Sequence, residues 1–497
     1  MHCKKWISMS LSSLAVVFVS FFLTMLTTGT TYALNHSGSI TSSETWAAAD
    51  NPHIVTADVL VYGGATLTIP PGCLVKFNSG VGLAIGIYNS TATLIADGTS
   101  VNPITFTSNA STPAPGDWAG VHFYSATDDS ATIMDYCTVE YGGDGGFNTN
   151  IYCSYASPTI QNCTIQHSDG YGIYCDNYSA PTLTNNTISD NGLFPISEYS
   201  NQLDSNVTGN TGSSNGTDAI EVRGGVITSS HTWVVQDFYF NVTDATHVYN
   251  GATLTIPPGC LVKFNAGTAL YIGYYSGATL NADGTSGNPI TFTSNVSTPA
   301  PGDWSGIVFF NSTDDASTIM DYCTVEYGGY DSYNSNIHCN SASPTIQNCT
   351  IQHSDEYGIY CDGYSAPTLT NNTISNNGSY PITEFCDMLD SNVTGNTGSA
   401  NGTNAIEVRG GAILSSHTWV VQGFYFNVTA ATHVYNGATL TIPPGCLVKF
   451  DSGTALYIGY YSAATLNAVG TSVNPITFTS NEATPAPGDW GDRKSVV

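Results

Sequence analysis

Basic residues are scarce in this 497-residue sequence, which holds nine Lys and Arg against 37 Asp and Glu and has a formal net charge of −28. Between the N-terminal leader and the C-terminal tail, the basic residues are Lys76, Arg223, Lys263, Arg409 and Lys449. A chain with so few cations has little with which to neutralise phosphates. The composition therefore argues against binding to nucleic acid and to anionic membrane surfaces.

Long apolar runs are also lacking after the first 33 residues, which predict a secretory signal peptide. Two lysines precede an apolar stretch, and the small-x-small sequence ending at Ala33 offers a cleavage site. The stretch from Ile7 to Leu26 also has the length of a bilayer span, so a retained N-terminal anchor is the alternative. Either way, we expect a secreted or cell-surface protein with no membrane contact beyond this segment.

What the sequence has in abundance is repetition. The stretch GATLTIPPGCLVKF begins at residues 64, 251 and 437, so successive copies are 187 and 186 residues apart. The pattern predicts copy 1 at residues 38–224, copy 2 at 225–410 and a partial copy 3 at 411–490. Residues 491–497 depart from the pattern and are interpreted as a non-native tail.

A shorter period lies inside each copy. Ile151 and Ile173 occupy equivalent positions 22 residues apart, and Ile165 and Ile188 lie 23 apart. Units of about 22–26 residues, each with short β-rich runs between Gly, Asn, Asp or Pro, predict coils that bury their apolar faces only by stacking. The prediction is an all-β, right-handed parallel β-helix. Some twenty coils at about 4.8 Å each would make a rod roughly 90–100 Å long.

The motifs GATLTIPPGCLVKF, NPITFTS, PGDW, YCTVEYGG and SPTIQNCTI resemble those of secreted right-handed parallel β-helix repeat proteins of the pectin-lyase-like fold. The resemblance spans about residues 38–490. It implies the fold, whose members include polysaccharide lyases, polygalacturonases, tailspikes and adhesins. It transfers no catalytic residue to this chain.

A polyuronate lyase needs a basic side chain as the base and cations for the carboxylate. The five basic residues are poor candidates because Lys76, Lys263 and Lys449 share one repeat position and Arg223 and Arg409 share another. We interpret them as structural side chains that extend along a coil edge or pair with a carboxylate.

A glycoside hydrolase needs two carboxylates across a groove. We interpret the available carboxylates as solvated turn residues, because a unique site would not recur in every copy. The candidates are Asp135 and Glu140, matched by Asp321 and Glu326, and the pair Asp128 and Asp129, matched by Asp314 and Asp315.

Histidines show the same redundancy, and no spacing typical of zinc occurs. Asp and Asn crowd the turns, as calcium ligands do, but no EF-hand loop or GGxGxD nonapeptide is present, so we predict no cofactor and keep calcium as the alternative. The matched histidines are His167 and His353, His231 and His417, and His247 and His433; those without a visible partner motif are His53, His122 and His338.

Twelve cysteines follow the leader, and within a copy Cys137 should stack on Cys163, and Cys153 on Cys175. Disulfides and a ladder of buried thiols are both consistent with this spacing. Asn162 over Asn185 predicts an amide ladder at a turn. Tyrosine-rich stretches at 271–277, 327–336 and 457–463 could stack on sugar rings or cap the ladders.

Copying coils lengthens a rod or multiplies weak sites, whereas an enzyme needs one site. The sequence therefore favours a non-catalytic extracellular spacer or adhesin-like module with weak, multivalent binding to extracellular or cell-wall polysaccharide. We assign no catalytic, cofactor-binding or metal-binding residue. The alternatives are a polysaccharide lyase or glycoside hydrolase and a self-assembling cell-envelope component.

Overall fold

The chain folds as an all-β, right-handed parallel solenoid of about 18 turns, as predicted. The structure is a computed structural model that describes residues 33–176 and 178–491. Its helical elements there are two single 3₁₀ turns, Ala48–Asp50 and Asp331–Tyr333, and no helix in this part of the chain is long and apolar enough to cross a bilayer. The predicted signal peptide, apart from its last residue, and the predicted tail, apart from its first, lie outside the described residues.

Each turn adds one strand to each of three ladders, which are columns of parallel strands joined by hydrogen bonds. Two strands at the start of the described chain, Leu34–Ile40 and His53–Val61, pair with each other, and the second spans a corner and pairs with two later strands. Ladder A then consists of Glu44–Thr45, Ala65–Ile69, Ala92–Asp97, Ile133–Asp135, Thr159–Gln161, Thr182–Thr184 and Val207–Thr208. Ladder B consists of Leu74–Phe77, Ile104–Ser108, Cys137–Glu140, Thr164–Gln166 and Thr187–Ser189.

Ladder C begins in copy 1 and continues through copy 2. It consists of Gly82–Ile85, Gly120–Phe123, Thr149–Ser154, Tyr171–Asp176, Ile196–Tyr199, Ala219–Arg223, Tyr239–Val242, Leu261–Phe264, Ile290–Ser294, Cys323–Glu326, Thr350–Gln352 and Thr373–Ser375. The second strand starts 38 residues after the first, and long loops of this kind explain why the solenoid has about 18 turns rather than some twenty.

The ladders of copies 2 and 3 have the same arrangement. Ladder D consists of Gly225–Ile227, Thr246–Val248, Ala269–Ile272, Gly306–Phe309, Ser335–Asn340, Tyr357–Asp362, Ile382–Phe385, Ala405–Arg409, Tyr425–Val428, Leu447–Phe450 and Thr477–Ser480. Ladder E consists of His231–Thr232, Ala252–Thr255, Ala278–Asp283, Ile319–Asp321, Thr345–Gln347, Thr368–Thr370 and Val393–Thr394. Two short ladders follow, Gly411–Ile413 with Thr432–Val434 and Leu456–Ile458, and His417–Thr418 with Thr439–Thr441 and Thr465–Asn467.

The prediction that equivalent residues of neighbouring coils stack on one another is confirmed. Ile165 pairs in register with Ile188, and Ile151 and Cys153 pair with Ile173 and Cys175. These side chains are fully buried. Burying an aliphatic side chain of this size stabilises the fold by roughly 1.5–3 kcal/mol. Each added coil therefore stabilises the rod through the side chains that it buries in the column.

The PGDW motif belongs to this core. The Trp118 ring stacks on Phe77 with 3.9 Å between centroids, and its Nε1 donates to the Glu140 carbonyl oxygen at 2.8 Å. Asp117 accepts from the Ser108 hydroxyl at 2.6 Å. The motif therefore repeats because it closes a coil, and its side chains are occupied in doing so.

An amide ladder is present, but one residue beyond the predicted position. The Asn162 side chain donates to Asp135 at 2.8 Å. The amide-to-amide bond runs from Asn186 to Asn210 at 3.0 Å. The reason lies in the backbone, since Asn162 and Asn185 occupy left-handed corners with φ of 52° and 55° and the inward position falls to the next residue.

All twelve cysteines of the described residues are buried, free thiols. The Cys137 amide donates to Cys163 Sγ at 3.4 Å, which is the predicted stacking. Burial raises the pKa of the Cys260 thiol to about 12 and that of Cys73 to about 11, where Asp50 adds a smaller effect. The cysteines therefore act as small apolar core residues.

Successive copies are rotated about the solenoid axis by one ladder, a third of a turn. Leu74–Phe77 of copy 1 lies in ladder B, but its counterpart in copy 2, Leu261–Phe264, extends ladder C, which in copy 1 carries Gly82–Ile85. The same shift recurs one copy later, because Ala269–Ile272 and Leu447–Phe450 both lie in ladder D.

The turn count gives the same result. Seven steps along ladder D lead from Gly225–Ile227 to Ala405–Arg409, and the counterpart of the starting strand, Gly411–Ile413, is the next strand in the chain. Each copy therefore makes about seven and one third turns. Hydrogen bonds cross the boundary between copies 1 and 2, where Ala219–Arg223 pairs with Tyr239–Val242, so these copies form one continuous rod.

Candidate functional site

The carboxylates that a glycosidase could use are engaged in hydrogen bonds between coils. Asp135 accepts from Gln161 at 2.9 Å and from Asn162 at 2.8 Å. Glu140 accepts from Gln166 at 2.8 Å. Asp135 lies in ladder A and Glu140 in ladder B, so the fold places them on different faces.

Copy 2 repeats these bonds. Asp321 accepts from Gln347 and Asn348, each at 2.8 Å, and Glu326 accepts from Gln352 at 2.8 Å. A carboxylate held by the same amide donors in both copies has a role in joining coils. The prediction that Asp135 and Glu140 lie in solvated turns is wrong, because both are half-buried at the ends of strands.

The Asp-Asp pairs at the turns are also bonded to the neighbouring coil. Asp129 accepts from the Ser157 amide at 2.7 Å, and Asp315 accepts from the Ser343 amide at 2.6 Å. Burial raises the pKa of Asp129, and burial likewise raises the pKa of Asp315. The hydrogen bond from the next coil therefore holds each of these carboxylates in its turn.

Four of the five basic side chains in the described residues lie over aromatic rings. Arg223 sits 4.2 Å from the centroid of Tyr174 and 4.1 Å from that of Tyr199, and its guanidinium donates to the Cys175 carbonyl oxygen. Lys263 lies 4.6 Å from the centroid of Tyr239. Arg409 and Lys449 repeat these arrangements with the rings of Tyr360, Phe385 and Tyr425.

Most histidines have structural partners that recur between copies. His167 stacks on Tyr141 at 5.1 Å, as His353 does on its counterpart. His231 lies 3.5 Å from Asp204, and His417 repeats the contact. His247 and His433 pack on the tyrosines of the next coil.

Of the three histidines without a visible partner motif, two are buried, and one lines an open pocket. The buried His53 is 2.9 Å from His36, and His338 is also buried. His122 lines a pocket of about 390 Å³ that we call the copy-1 pocket. Its defining residues are Asp58, Ala84, Tyr88, His122, Asp144 and Phe147.

The copy-1 pocket crosses four consecutive coils. Asp58 lies in the long strand His53–Val61, Ala84 and His122 lie on the next two strands of ladder C, and Asp144 precedes the fourth. Side chains from positions 58, 84, 122 and 144 meet because parallel coils stack at about 4.8 Å per step. No short motif contains them, so sequence reasoning missed the site.

His122 presents one ring nitrogen to the pocket. Its Nε2 lies 2.9 Å from the Ala119 carbonyl oxygen, and its Nδ1 is 3.5 Å from the Tyr124 hydroxyl. Burial lowers the pKa of His122, and the Ala119 bond and Asp58 oppose that effect. A neutral imidazole that donates from Nε2 leaves Nδ1 as an acceptor for a hydroxyl group.

Two carboxylates line the same short segment of the pocket. Asp58 Oδ1 accepts from the Gly82 amide at 2.9 Å. Asp144 reaches back over the coils, and a Cβ placed on Gly80 would lie 3.0 Å from its Oδ2. Both carboxylates therefore border the segment 80–82 and line the same pocket. Neither takes part in an ion pair among the described residues.

Aromatic rings form the remaining wall. Phe147 stacks on Tyr152 at 4.0 Å and meets the His122 ring edge-on at 5.4 Å. Tyr88 is 73% exposed and packs edge-to-face on Tyr62 at 5.4 Å. Exposed rings beside hydrogen-bonding groups are suited to contact with the apolar face of a sugar.

The equivalent space in copy 2 is filled. Tyr271 stands at the position of Ala84, and its ring packs on Tyr333 at 5.7 Å and on Phe310 at 6.0 Å. Val308 replaces His122. The differences between copies 1 and 2 at these positions were the signal that could have revealed the site, because the coils that carry them otherwise repeat.

The tyrosine-rich stretches expose several rings, and one of their repeat positions is exposed in all three copies; the exposed tyrosines of these stretches are Tyr274, Tyr275, Tyr330, Tyr460 and Tyr461. Tyr88, Tyr275 and Tyr461 occupy the same repeat position and are 73%, 71% and 64% exposed.

In the part of the chain that the structure describes, no group of three or more His, Cys, Asp or Glu is arranged to hold a metal ion.

Two family descriptions match the chain. "Pectate-lyase like beta helix domain" matches residues 38–147, 225–337 and 411–493, which together make up more than half of the sequence. "Right handed beta helix region" matches residues 284–443.

No curated protein matches the sequence. Among solved structures, the catalytic domain of a GH87 α-1,3-glucanase in complex with tetrasaccharides matches at 13% identity with a TM-score of 0.18. The match covers 90% of this chain and 63% of that domain, and at such a TM-score it carries no argument about function.

Proposed function

The chain belongs to the pectate-lyase-like β-helix family, and from that premise we propose that it is a non-catalytic, extracellular β-helix rod that binds polysaccharide through the copy-1 pocket. The single observation that carries the proposal is the opening of this pocket in copy 1, where Ala84 stands in place of Tyr271. Pockets with aromatic walls and a few convergent polar groups are the usual form of a ligand site.

An extracellular location is supported by the leader sequence. Residues 1–33 have the features of a secretory signal peptide. The exposed tyrosines of each copy would give a secreted rod additional weak contacts with cell-wall or extracellular glycan.

Binding without turnover is favoured over catalysis by the exposure of one pocket carboxylate. A glycosidase acid is usually held in a desolvated position that keeps it protonated. Asp58 is exposed to solvent, and its carboxyl group accepts a hydrogen bond from the Gly82 amide. The pocket therefore has acceptors for sugar hydroxyls but lacks an evident proton donor.

Glycoside hydrolysis in the same pocket is the second candidate function. The observation that favours it is the pair Asp58 and Asp144, which approach one short segment, Gly80–Gly82, from different coils. Two carboxylates about 5–10 Å apart are the requirement for this chemistry. Steady release of reducing ends from a polysaccharide, lost in both Asp58→Asn and Asp144→Asn, would establish hydrolysis and exclude the non-catalytic function.

The test of binding exchanges residues between copies. Ala84→Tyr and His122→Val each place the copy 2 residue in copy 1, where the same strand register tolerates it. We expect affinity gel electrophoresis against a panel of neutral, amino and acidic polysaccharides to show a ligand whose binding falls at least about tenfold in both variants, since each removes contacts worth a kcal/mol or more.

The matched control is Tyr271→Ala, which hollows the equivalent space in copy 2 without supplying the counterparts of His122 and Asp58. Its binding should equal that of the unmodified protein. If every polysaccharide that the protein binds is retained equally by Ala84→Tyr, His122→Val and the control, the copy-1 pocket is not the binding site and the proposal is wrong.

A further inference from the structure

The charge around the copy-1 pocket is of one sign. Asp58 and Asp144 line it, and no Lys or Arg belongs to its wall among the described residues. The basic residue nearest in sequence, Lys76, lies on a strand of ladder B rather than ladder C. The whole chain carries a net charge of −28, so no distant surplus of cations offsets the two carboxylates.

We propose that the copy-1 pocket selects an amino sugar, a hexosamine residue whose free amine is protonated, and rejects uronic acids. The inference rests on the proposed function and names its ligand class. A uronate in this pocket would place a third carboxylate beside two others with no cation between them, and like charges at such distances repel. An ammonium group meets the opposite condition, because both aspartates are free of competing ion pairs.

The remaining groups of the pocket suit the rest of such a residue. The Nδ1 of neutral His122 and the Tyr124 hydroxyl accept or donate to sugar hydroxyls. Tyr88 and Phe147 offer rings to the apolar face of the pyranose. The carboxylates thus determine the charge of the ligand, and the rings and imidazole determine that it is a sugar.

Copy 2 lacks the two carboxylates on which the proposed selection of an amine depends. Ala245 replaces Asp58, Tyr330 replaces Asp144, and Gly267 lies against the Tyr330 ring as Gly80 lies against Asp144. The two carboxylates are therefore lost together with the open space. This joint change separates the pocket from the general acidity of the surface, which both copies share.

The experiment compares three oligosaccharides of equal length by isothermal titration calorimetry: oligomers of glucosamine, of N-acetylglucosamine and of galacturonic acid. At mildly acidic pH, where the amine is protonated, we expect the glucosamine oligomer to bind about tenfold or more tighter than its acetylated form, the effect of two exposed ion pairs. The galacturonate oligomer should show no binding. Asp58→Asn/Asp144→Asn should lower the affinity for glucosamine oligomer to that for the acetylated form.

The matched control for bulk charge is Asp244→Asn/Asp331→Asn, which removes two exposed carboxylates near the filled site of copy 2. It should bind the glucosamine oligomer as the unmodified protein does. If both double variants lose affinity equally, the attraction is that of a polyanion for a polycation and the inference is overturned.

Two further outcomes separate this inference from the proposed function. If the acetylated or the acidic oligomer binds as tightly as the amine, and Ala84→Tyr abolishes that binding, the pocket binds sugar but its charge does not select an amine. If no saccharide shows binding that Ala84→Tyr and His122→Val reduce, the proposed function and the inference both fail.

Discussion

Replacing Glu384 with Gln should stabilise the protein at neutral pH. Glu384 is 1% exposed, and neither of its carboxyl oxygens has a hydrogen-bond partner of normal geometry among the described residues. Burial raises the pKa of Glu384 from its ordinary value of 4.5 to about 8, although the Cys361 thiol, the Phe385 backbone and Arg409 oppose this effect. The folded chain therefore holds a proton that the unfolded chain releases above pH 4.5.

The sign and size of the effect follow from this difference in pKa. The contribution of Glu384 to stability is fully present below about pH 4.5 and is lost as the pH rises towards 8, at about 1.4 kcal/mol per pH unit. At pH 7 the loss amounts to about 3 kcal/mol. Glutamine has the shape of the protonated acid and does not ionise, so Glu384→Gln should regain this amount at pH 7 and nothing near pH 4.5.

Urea denaturation of both proteins, followed by tryptophan fluorescence at several pH values, measures the difference. The control is Glu407→Gln, since Glu407 accepts from the hydroxyls of Thr383 at 2.6 Å and Thr429 at 3.1 Å and should gain no stability on losing its charge. A Glu384→Gln variant that is no more stable than the original at pH 7, or whose advantage persists unchanged at pH 4.5, would refute the reasoning.

Two further predictions concern backbone and thiols. Gly86→Ala should destabilise the chain by about 2–4 kcal/mol, because Gly86 has a φ of +73° and a Cβ there would lie 2.2 Å from the Thr127 nitrogen. The control is Gly64→Ala, since Gly64 has a φ of +83° but no neighbour within 4 Å of such a Cβ. It should lose only about 1 kcal/mol of stability in the same urea titration. A thiol reagent should leave the twelve buried cysteines unmodified in the native protein and label all twelve after denaturation without reductant, whereas a smaller number would mean that the ladders are oxidised.

The coil architecture could be predicted because its evidence is local and repeated. The spacing of Ile165 and Ile188, and of Cys153 and Cys175, follows directly from the length of a coil, and the structure pairs both in register. Short β-branched runs between Gly and Asn corners left few other ways to bury those residues. The same repetition did not reveal that Asp135 and Glu140 end strands and accept hydrogen bonds from the next coil rather than lying in solvated turns.

The copy-1 pocket could not be predicted in this way, because it depends on what the repeats do not share. His122 has no sequence neighbour that marks it, and its partners Asp58 and Asp144 come from other coils. The amide ladder at Asn186 was missed by one residue, since the left-handed corner at Asn185 turns that side chain away from the column. The register of a strand determines whether a side chain points into or out of the column. The spacing of the repeats does not show where the corners that set this register lie.

The extra third of a turn in each copy decides how repeated surface groups are displayed. Tyr88, Tyr275 and Tyr461 recur at nearly equal intervals in sequence, yet they lie on three different sides of the rod, each a third of a turn from the next. Three copies, or about 22 turns, must pass before one direction is revisited, some 106 Å farther along at the usual strand spacing. A straight ligand lying along one side of the rod would therefore reach only one of these three tyrosines.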